Sequence, residues 1–570
     1  MNGTDVDVHL RARWSRWLPF LRWPRPSARS LRHDAWAGIS VALVAIPQSL
    51  AYATLAGMPP VTGLYAAFLP CLVGVLWGSL PLLAAGPVAL TSLLTFASLQ
   101  SLAAPGSDEW VRLAIWLAIY AGLIQLLFGV LRWGTLANFV SYPVMAGFNN
   151  AAALIIIFSQ LPTLLGLPPA SDVEWIAHVG DTIGAAPQRI ALVAGFGITA
   201  IGALLLLERF ARWLPGVLIV CIASIVVARA IGLDGDQVIG AIPRGLPDVG
   251  LPTLGWELHR ALLPAAMIVA LVSFTEVMAS ANRLTHERRE RWDENQEFIG
   301  QGLAKIVSGV SGSFPVSGSL SRSALNAFAG ATSGWSGIFA SACVLACLLW
   351  FTDLIYYLPR AVLSAIVIVA VSRLLNFRVF GELWRASRDD AAVAWLTFTV
   401  TLLSVPHLQW GVFGGFIVSL LFFLYRRAHP RIIELGAHAD GTLRDRAIHA
   451  LPRLDASVLT VRMDASINYL TAPLLERFIV ERAQHSPELT TVLLSCLPAN
   501  DIDATGVEML RRLAQTLGER GIALKLSAVK KQVRQVLDRT GLTAQLGEGA
   551  FFSTDSEAIE ALATQVKSRE

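Results

Sequence analysis

The residues best suited to chemistry lie in one stretch of this 570-residue chain, residues 311–326, with the sequence SGSFPVSGSLSRSALN. The stretch sits between long apolar segments, yet it is rich in Ser and Gly and carries a charged residue, Arg322. If a helix begins there, four polar side chains share one face of it: Ser319, Arg322, Ser323 and Asn326. The free N–H groups of the first turn, the hydroxyls and a fixed cation then point at one spot. The stretch therefore predicts an anion-binding site.

Two further ionisable residues, Glu276 and Lys305, lie inside apolar segments, where a charge is costly and needs a reason. Glu276 is either a helix-end residue that reaches an interface or a carboxylate near a cavity that carries a proton. Arg322 either pairs with Glu276 or with backbone carbonyls, or supplies a fixed positive charge to an oxyanion, and these roles are compatible. Lys305 either extends to the membrane surface from a short span or takes part in the site.

The first and third apolar segments offer further candidates. Gln48 and Tyr52 lie four residues apart on one face of the first segment, where they form interhelical hydrogen bonds or line a substrate cavity. The third segment begins with GPVALTSLLT and presents three backbone N–H groups, those of Val88, Ala89 and Leu90. If this segment faces residues 311–326, two helix N-termini point at one anion.

The elements that must position these residues are apolar segments in two sets of seven. The first set lies at roughly 36–56, 60–79, 87–101, 110–131, 143–164, 188–207 and 213–232. The second lies at roughly 261–281, 295–312, 319–330, 335–354, 358–375, 388–406 and 410–427. The third segment of each set is too short to cross the hydrocarbon core, and Pro-Val introduces both of them. This match predicts an internal repeat, with its second half inverted and the binding site at mid-membrane.

Composition and arginine distribution support a polytopic membrane protein. The chain is 54% hydrophobic and only 15% charged. If the N-terminus is cytoplasmic, the loops on the cytoplasmic side carry more arginines than the loops on the other side. This distribution predicts that both termini are cytoplasmic. Residues 1–35 carry seven arginines among tryptophans and predict a cytoplasmic segment that contacts anionic lipid rather than nucleic acid. The five cysteines are scattered, without metal-type spacing, and indicate small buried residues.

After about residue 430 the pattern changes to alternating short strands and helices, which predicts a small α/β domain over 440–570. The strands are expected at 457–463, 490–496 and 522–527, and the helices at 471–485, 505–518, 529–540 and 556–567. The motif DIDATG either caps a helix or presents Thr505 for phosphorylation or ligand sensing. No P-loop, HExxH or nucleophile elbow is present, so neither an enzyme nor an ATP-driven pump is indicated. The acidic residues 290–297 are interpreted as a solvated inner loop, not a metal site.

Four segments carry a family likeness: IPQSLAYATLAGMPPVTGLYAAF (46–68), GPVALTSLL (86–94), the run 274–306, and FPVSGSLSRSALN (314–326). With them the chain resembles the SulP anion transporters, also called the solute carrier 26 family. The tail with DIDATG resembles the STAS domain that ends most members. The likeness covers nearly the whole chain, and FPVSGSLSRSALN is its most specific part.

The resemblance implies fourteen spans in two inverted sevens, arranged as a core that moves against a gate, and a homodimer to which the STAS domains contribute. Substrate is expected between the half-helices of spans three and ten, lined by Gln48, Tyr52, Val88, Ala89, Leu90, Ser319, Leu320, Ser321 and Arg322. The resemblance associates Glu276 with ion coupling, and a glutamate there is similar to the proton-coupled members. Two positions are distinctive. Gln48 is similar to the sulfate-permease branch, whereas Lys305 stands where members commonly have a neutral residue. A pair between Lys305 and Glu276 would weaken the proton-carrier role.

The sequence as a whole predicts a cytoplasmic-membrane transporter that takes up sulfate with protons through an elevator-type movement, without a cofactor. Alternatives are transport of bicarbonate or a dicarboxylate, with sodium, or a non-transporting scaffold that acts through its STAS domain. The predicted divisions are 1–35, 36–232, a connecting segment 233–260, 261–428 and 440–570.

Overall fold

The computed structural model describes residues 18–134, 141–167, 187–211, 215–247, 249–289, 291–405, 407–438 and 442–567. The chain divides into two compact units, Met1–Ser419 and Leu420–Glu570.

The first unit is built of helices, and each of the fourteen predicted apolar segments corresponds to one of them. The first seven are α1 Ala28–Leu55, α2 Pro60–Trp77, α3 Ala89–Leu99, α4 Asp108–Val130, α5 Tyr142–Leu164, α6 Pro187–Phe210 and α7 Gly216–Ala230. The next four are α8 Trp256–Arg288, α9 Glu294–Val310, α10 Leu320–Phe328 and α11 Trp335–Ile355. Four more complete the set: α12 Arg360–Ser372, α13 Arg378–Ala386, α14 Arg388–Leu403 and α15 Gln409–Ala428, the last of which extends across the division between the units.

Within the described ranges, eight of these helices are long and apolar enough to cross a membrane, and α3, α7 and α12 are apolar but shorter. Helix α13 has no counterpart among the predicted segments. It buries Val379, Phe380 and Leu383 on one face and exposes arginines on the other, so an apolar-run search cannot find it.

Helix–helix packing follows the predicted inverted repeat. Helix α1 packs on α11, and its repeat counterpart α8 packs on α4. Likewise α5 packs on α14, and its counterpart α12 packs on α6, while α2 packs on its own counterpart α9. Most of the contacts fall within two groups, one of α1–α4 with α8–α11 and one of α5–α7 with α12–α14, and α1 also packs on α7 and α12 across them. These groups correspond to the expected core and gate.

The short third helix of each repeat follows a two-residue strand, which the sequence patterns did not predict. Strand β1, Ala85–Gly86, precedes α3, and β2, Ser317–Gly318, precedes α10. The strands pair antiparallel, with Ala85 opposite Gly318 and Gly86 opposite Ser317. The backbone N–H and C=O groups that lie outside the helices here would be costly to leave unpaired at membrane depth. They find hydrogen-bond partners in the strand of the other repeat.

The N-terminal segment differs from the prediction in its boundary and also makes contacts with the helical unit. Helix α1 begins at Ala28, eight residues before the predicted 36, because Ser27 and Ser30 form a capping box there. Ahead of it, the ring of Phe20 packs edge-on against Trp77, and that of Trp23 against Trp335. This part of the segment therefore contacts protein. Residues 1–17, with three of the seven arginines, lie outside the described residues.

The second unit contains the predicted α/β domain, with a sheet larger than expected. Its strand order is β4-β3-β5-β6-β7-β8, with β5 to β8 parallel and β3 and β4 added as an antiparallel edge. The strands are β3 Ile432–Ala437, β4 Leu443–Asp445, β5 Val458–Met463, β6 Thr491–Ser495, β7 Ala523–Ser527 and β8 Phe551–Phe552. The helices are α16 Arg446–His449, α17 Ala472–Gln484, α18 Ala504–Gly518, α19 Lys531–Arg539, α20 Leu542–Leu546 and α21 Asp555–Lys567.

Strands β5, β6 and β7 were predicted within one residue at each end, as were the bounds of α17 and α18. Strands β4 and β8 and the short helices α16 and α20 were missed because they are too short for a periodic signal. Strand β3 was also missed, although it is as long as β5. Cys496 follows β6 and is buried, and burial raises the pKa of its thiol to about 12. This agrees with its interpretation as a small core residue.

Candidate functional site

Helix α10 begins as predicted, with Ser319 as its N-cap and Arg322 in the first turn. The Ser319 hydroxyl accepts a hydrogen bond from the Arg322 backbone N–H at 3.4 Å. Arg322 is 2% exposed, and its Nη2 donates to the Pro87 carbonyl oxygen at 2.8 Å. Its Nε has no hydrogen-bond partner. The buried guanidinium therefore has one hydrogen-bond donor that is still without an acceptor.

The polar face of α10 is mostly occupied by backbone of the first repeat. The Ser323 hydroxyl accepts from the Ala84 N–H at 2.9 Å, and Asn326 donates to the Leu82 carbonyl at 3.2 Å. Ser319 N–H donates to the Ala84 carbonyl at 2.9 Å. Ser323 and Asn326, which share this face with Ser319 and Arg322, thus hold the two repeats together.

Leu320 and Ser321 lie on the other side of α10 and are exposed, although their neighbours in the chain are buried. Both residues lie in the first turn of α10, directly before Arg322 in the chain. The first-turn N–H groups of α10 and the Ser321 hydroxyl are thus accessible to a ligand.

Helix α3 contributes the second N-terminus. Its N-cap, Val88, offers no side-chain acceptor to the first turn, so the N–H groups there lack a cap. Val88, Ala89 and Leu90 are buried, and the strand pairing sets their helix start against that of α10. Two uncapped or singly capped helix starts beside one arginine form a region of positive potential.

Gly86 makes the close approach of the guanidinium possible. A Cβ at this position would lie 3.1 Å from Arg322 Nη2, and the Gly86 φ of +149° is one that residues with a side chain avoid. Behind the guanidinium, a small cavity is lined by Cys71 and by small apolar residues of α1, α2 and α11. The mostly apolar lining screens the charge little on that side, which strengthens its field.

Gln48 and Tyr52 are both buried in α1, and their place in the lining of a substrate cavity stays a prediction.

Glu276 lies in the interior of α8, and its Oε2 has no hydrogen-bond partner. The neighbouring hydroxyl is that of Ser317 in β2, which gives its hydrogen to the Ser273 carbonyl at 2.9 Å. Glu276 is thus adjacent to the strand that begins α10, rather than at a helix end.

Lys305 is 0% exposed and does not extend to a surface. Its Nζ donates to Gln125 Oε1 of α4 at 2.9 Å, and Gln125 Nε2 donates to Ser273 Oγ at 3.0 Å and to the Ala270 carbonyl at 2.6 Å. Among the ion pairs of the described residues, none joins Lys305 to Glu276. The expectation that Lys305 extends from a short span is wrong, and its hydrogen-bond partner is an amide.

The burial of two carboxylates, those of Glu297 and Asp34, was not predicted from the sequence. Glu297, in the first turns of α9, is 1% exposed and accepts from Ser79 N, Ser79 Oγ, Leu80 N and Gln301 Nε2 at 2.8 to 3.2 Å. Asp34 in α1 is equally buried and accepts from the N–H and hydroxyl groups of Thr332 and Ser333. The interpretation of Glu297 as part of a solvated loop is therefore wrong. Both carboxylates fix loops that lead into or out of the half-helices.

In the second unit, the DIDATG motif begins α18, and Asp503 is the N-cap. Its Oδ1 accepts from the Gly506 N–H at 2.8 Å and its Oδ2 from the Tyr469 N–H at 2.9 Å. Thr505 lies in the first turn and is exposed. The capping interpretation applies to Asp503, whereas a regulatory role of Thr505 stays a prediction.

Comparison with known proteins identifies the chain's relatives. The model of the Sulfate permease family matches residues 31–397, and that of the STAS domain matches residues 452–558. The chain belongs to the sulfate permease family. It is a multi-pass membrane protein of a family of anion transporters, with a STAS domain at its C-terminal end.

Similar proteins align with this family member over nearly its whole length. Sulfate transporter 4.1, chloroplastic, of Arabidopsis thaliana is 31% identical over 577 residues, covering 97% of this chain and 82% of the relative. The sodium-independent sulfate anion transporter of Bos taurus is 31% identical over 583 residues, covering 95% and 90%. The solved structure of murine solute carrier 26 family member A9 is 22% identical, with a TM-score of 0.87 over 97% of this chain and 95% of that one. This last likeness shows the fold.

Proposed function

We propose that this chain is a secondary active transporter that takes up sulfate together with protons. The observation that carries the proposal is the meeting of two half-helix N-termini at the buried guanidinium of Arg322, which retains an unused donor. A sulfate ion placed beside Ser321 would accept from first-turn N–H groups of both helices and from the arginine. The names of the relatives, two of them sulfate transporters, favour this anion.

Proton coupling is assigned to Glu276. Its Oε2 lacks a partner, and the hydrogen of the Ser317 hydroxyl is directed elsewhere, so an ionised carboxylate has few donors here. A protonated carboxyl can instead donate to an oxygen, which suits a group that is protonated in one state of the transport cycle and ionised in another. The sodium-independent relative also favours protons over sodium.

The movement is proposed to be elevator-like, with the group α1–α4 and α8–α11 sliding past the group α5–α7 and α12–α14. Both halves of the site lie on α3 and α10 and thus belong to the first group. The site therefore moves as a unit without the pairing of β1 and β2 being broken. We place the protein in the cytoplasmic membrane as a homodimer, with both termini inside.

Uptake into liposomes tests the proposal. The purified chain is reconstituted and given labelled sulfate, bicarbonate or fumarate, each with and without an inward proton gradient and with and without sodium. We expect the rate of sulfate uptake to rise with the proton gradient and to be independent of sodium. Uptake of bicarbonate or fumarate in place of sulfate would establish the alternative substrates, and sulfate uptake indifferent to pH would refute symport.

A scaffold that acts through its STAS domain is the alternative from another class. Removal of residues 440–570 separates the two. A transporter retains anion binding in its membrane part, whereas a scaffold loses its activity and shows no uptake in the intact chain either. Membership of the sulfate permease family favours the transporter.

A further inference from the structure

We infer that the second unit carries a binding site for a phosphate group, formed by three arginines that meet at one carboxylate. The arginines are Arg446, Arg453 and Arg482, and the carboxylate is that of Glu434. These four residues are called the arginine cluster below. The cluster lies outside the membrane helices, and its role does not depend on which anion the transporter carries.

All three guanidinium groups of the cluster contact Glu434, whose side chain is only 8% exposed. Arg453 Nε donates to Glu434 Oε1 at 2.6 Å, and Arg446 Nη1 donates to the same oxygen at 3.0 Å. Arg482 Nη1 lies 3.7 Å from the other carboxylate oxygen, Oε2, which is close enough for an ion pair but too far for a hydrogen bond. The three guanidinium groups therefore lie side by side around one carboxylate.

The fold of the second unit brings the cluster together from four segments. Glu434 lies in β3, and Arg446 directly follows β4, the antiparallel partner of that strand. Arg453 precedes β5, which is the other neighbour of β3 in the sheet. Arg482 lies in the last turn of α17, with its Cζ 5.3 Å from the centroid of the Phe478 ring. Sheet pairing and an aromatic ring thus hold the positive charges together before any ligand binds.

The charges of the cluster do not balance. Within the part of the chain that the structure describes, Glu434 is the one carboxylate that contacts any of the three arginines. The cluster therefore has a surplus of two positive charges. One arginine would neutralise a structural carboxylate, whereas the second and third add repulsion between like charges. A bound anion with two negative charges would remove that repulsion, and a phosphate monoester has nearly this charge at neutral pH.

The arginines also retain hydrogen-bond donors for such an anion. Arg446 Nε donates to the Leu451 carbonyl, and Arg453 Nη1 donates to the Ser486 hydroxyl. The Nη2 groups of both arginines and the whole guanidinium of Arg482 have no acceptor among the described residues. The three side chains are 24 to 50% exposed, so a ligand can reach them. Arginines bind phosphate oxygen atoms through such donors, often with two parallel hydrogen bonds.

The phosphate group can belong to a lipid headgroup or to a soluble phosphate. Helix α15 ends at Ala428, six residues before Glu434, and Arg426 and Arg427 are exposed in its last turn. Six residues of extended chain span at most about 20 Å. With the cytoplasmic C-terminus proposed above, the cluster is therefore close enough to the inner leaflet for a headgroup to be one source of its ligand.

Calorimetric titration of the full-length chain with inorganic phosphate tests the inference. Arg482→Gln is the main variant, because Arg482 makes no hydrogen bond to Glu434 and its loss leaves both hydrogen bonds of that carboxylate in place. Arg477→Gln on the same helix is the matched control, since Arg477 pairs with Glu481 instead. We expect the phosphate affinity to fall about tenfold in Arg482→Gln and to stay at the wild-type value in Arg477→Gln. The membrane helices are the same in both variants, so a difference between them arises in the second unit.

Glu434→Gln distinguishes a binding site from a purely structural cluster. Loss of the carboxylate charge raises the surplus to three positive charges, so the phosphate affinity should rise about fivefold or more. A purely structural cluster would lose thermal stability on this substitution without any gain in phosphate affinity. That result, or equal phosphate affinity in Arg482→Gln and Arg477→Gln, would overturn the inference.

Repeating the titration in lipid nanodiscs separates the two sources of the phosphate group. Discs of phosphatidylcholine alone are compared with discs that also contain phosphatidic acid, whose headgroup is a phosphate monoester. If phosphatidic acid lowers the apparent phosphate affinity of the wild-type chain but not that of Arg482→Gln, the site binds a lipid headgroup. If the wild-type affinity is the same in both kinds of disc, the site binds a soluble phosphate.

Discussion

The guanidinium of Arg322 donates a hydrogen bond of 2.8 Å to the carbonyl oxygen of Pro87, which lies 235 residues earlier in the chain. The bond crosses from the second repeat to the first, at the junction where β1 ends and α3 begins. It fixes the orientation of a buried side chain whose Nε is still unpartnered. Arg322 thus has a structural partner and a donor left for an anion, so the two roles expected from the sequence are compatible in the structure.

Replacement of Arg322 by alanine is expected to weaken sulfate binding by about 10- to 100-fold, the value of one or two hydrogen bonds from a charged donor. Binding is measured by calorimetry on the purified protein. Arg229→Ala is the matched control, because that guanidinium packs over the Tyr357 ring, away from the paired strands. Equal affinity in both variants would leave Arg322 with the structural role alone.

Replacement of Gly86 by alanine is expected to impair binding without any change in the arginine itself. The new Cβ would lie 3.1 Å from Arg322 Nη2, and the φ of +149° costs about 1 to 3 kcal/mol for a residue with a side chain. Gly318→Ala, at the opposite strand, is the control, since its Cβ would meet only the side-chain ends of Val277 and Leu83. Sulfate affinity is the readout, and an affinity loss of the same size in both variants would contradict the assignment.

Replacement of Glu276 by glutamine is expected to abolish the pH dependence of sulfate uptake and to spare binding. In a proton symporter, uptake rises as the outside pH falls, because the carboxyl must be protonated for the loaded core to move. Glutamine is neutral at every pH, so the profile becomes flat. Uptake is followed in liposomes from pH 5 to pH 8.

Glu297→Gln is the matched control for that experiment. Its carboxylate accepts hydrogen bonds from the loop at Ser79 and Leu80, so the substitution should lower thermal stability and leave the slope of the pH profile intact. If Glu276→Gln retains full proton dependence, a different group carries the proton.

A covalent link between the two helix groups is expected to stop transport. Thr275 Oγ1 of α8 lies 3.4 Å from Met145 Sδ of α5, so these residues touch across the boundary between the groups. Cysteines at both positions, bridged by a short bifunctional thiol reagent with a reducible bond, should abolish uptake, and reduction should restore it. Each single cysteine variant treated in the same way is the control. Undiminished uptake in the bridged protein would exclude sliding at this contact.

The sequence predicted those structural features that depend on a short stretch of neighbouring residues. Runs of apolar residues located the helices, and the Pro-Val pairs singled out the two half-helices, whose shortness then indicated a binding site. The start of α10 at Ser319 followed from the local preference for a serine cap. Strands of two residues have no period, so β1 and β2 could not be seen.

Side-chain partners depend on distant segments and could not be predicted. Lys305 meets Gln125 across 180 residues, and Glu297 meets Ser79 across 218, so neither contact has a local signature. Charged neighbours made Glu297 look solvated, although the loop of the other repeat covers it. The same holds for Ser323 and Asn326, whose polarity serves the backbone of residues 82–84.

The pairing of β1 with β2 constrains the order in which the parts of this protein can fold during membrane insertion. When the ribosome has finished the first repeat, Ala85 and Gly86 are still without Gly318 and Ser317, their strand partners. Backbone groups left unpaired at membrane depth are costly, so α3 must wait in an unfinished fold until the second repeat is inserted. A chain that ends between the repeats therefore has helices but lacks the proposed anion site, which cannot form before β2 and α10 are in place.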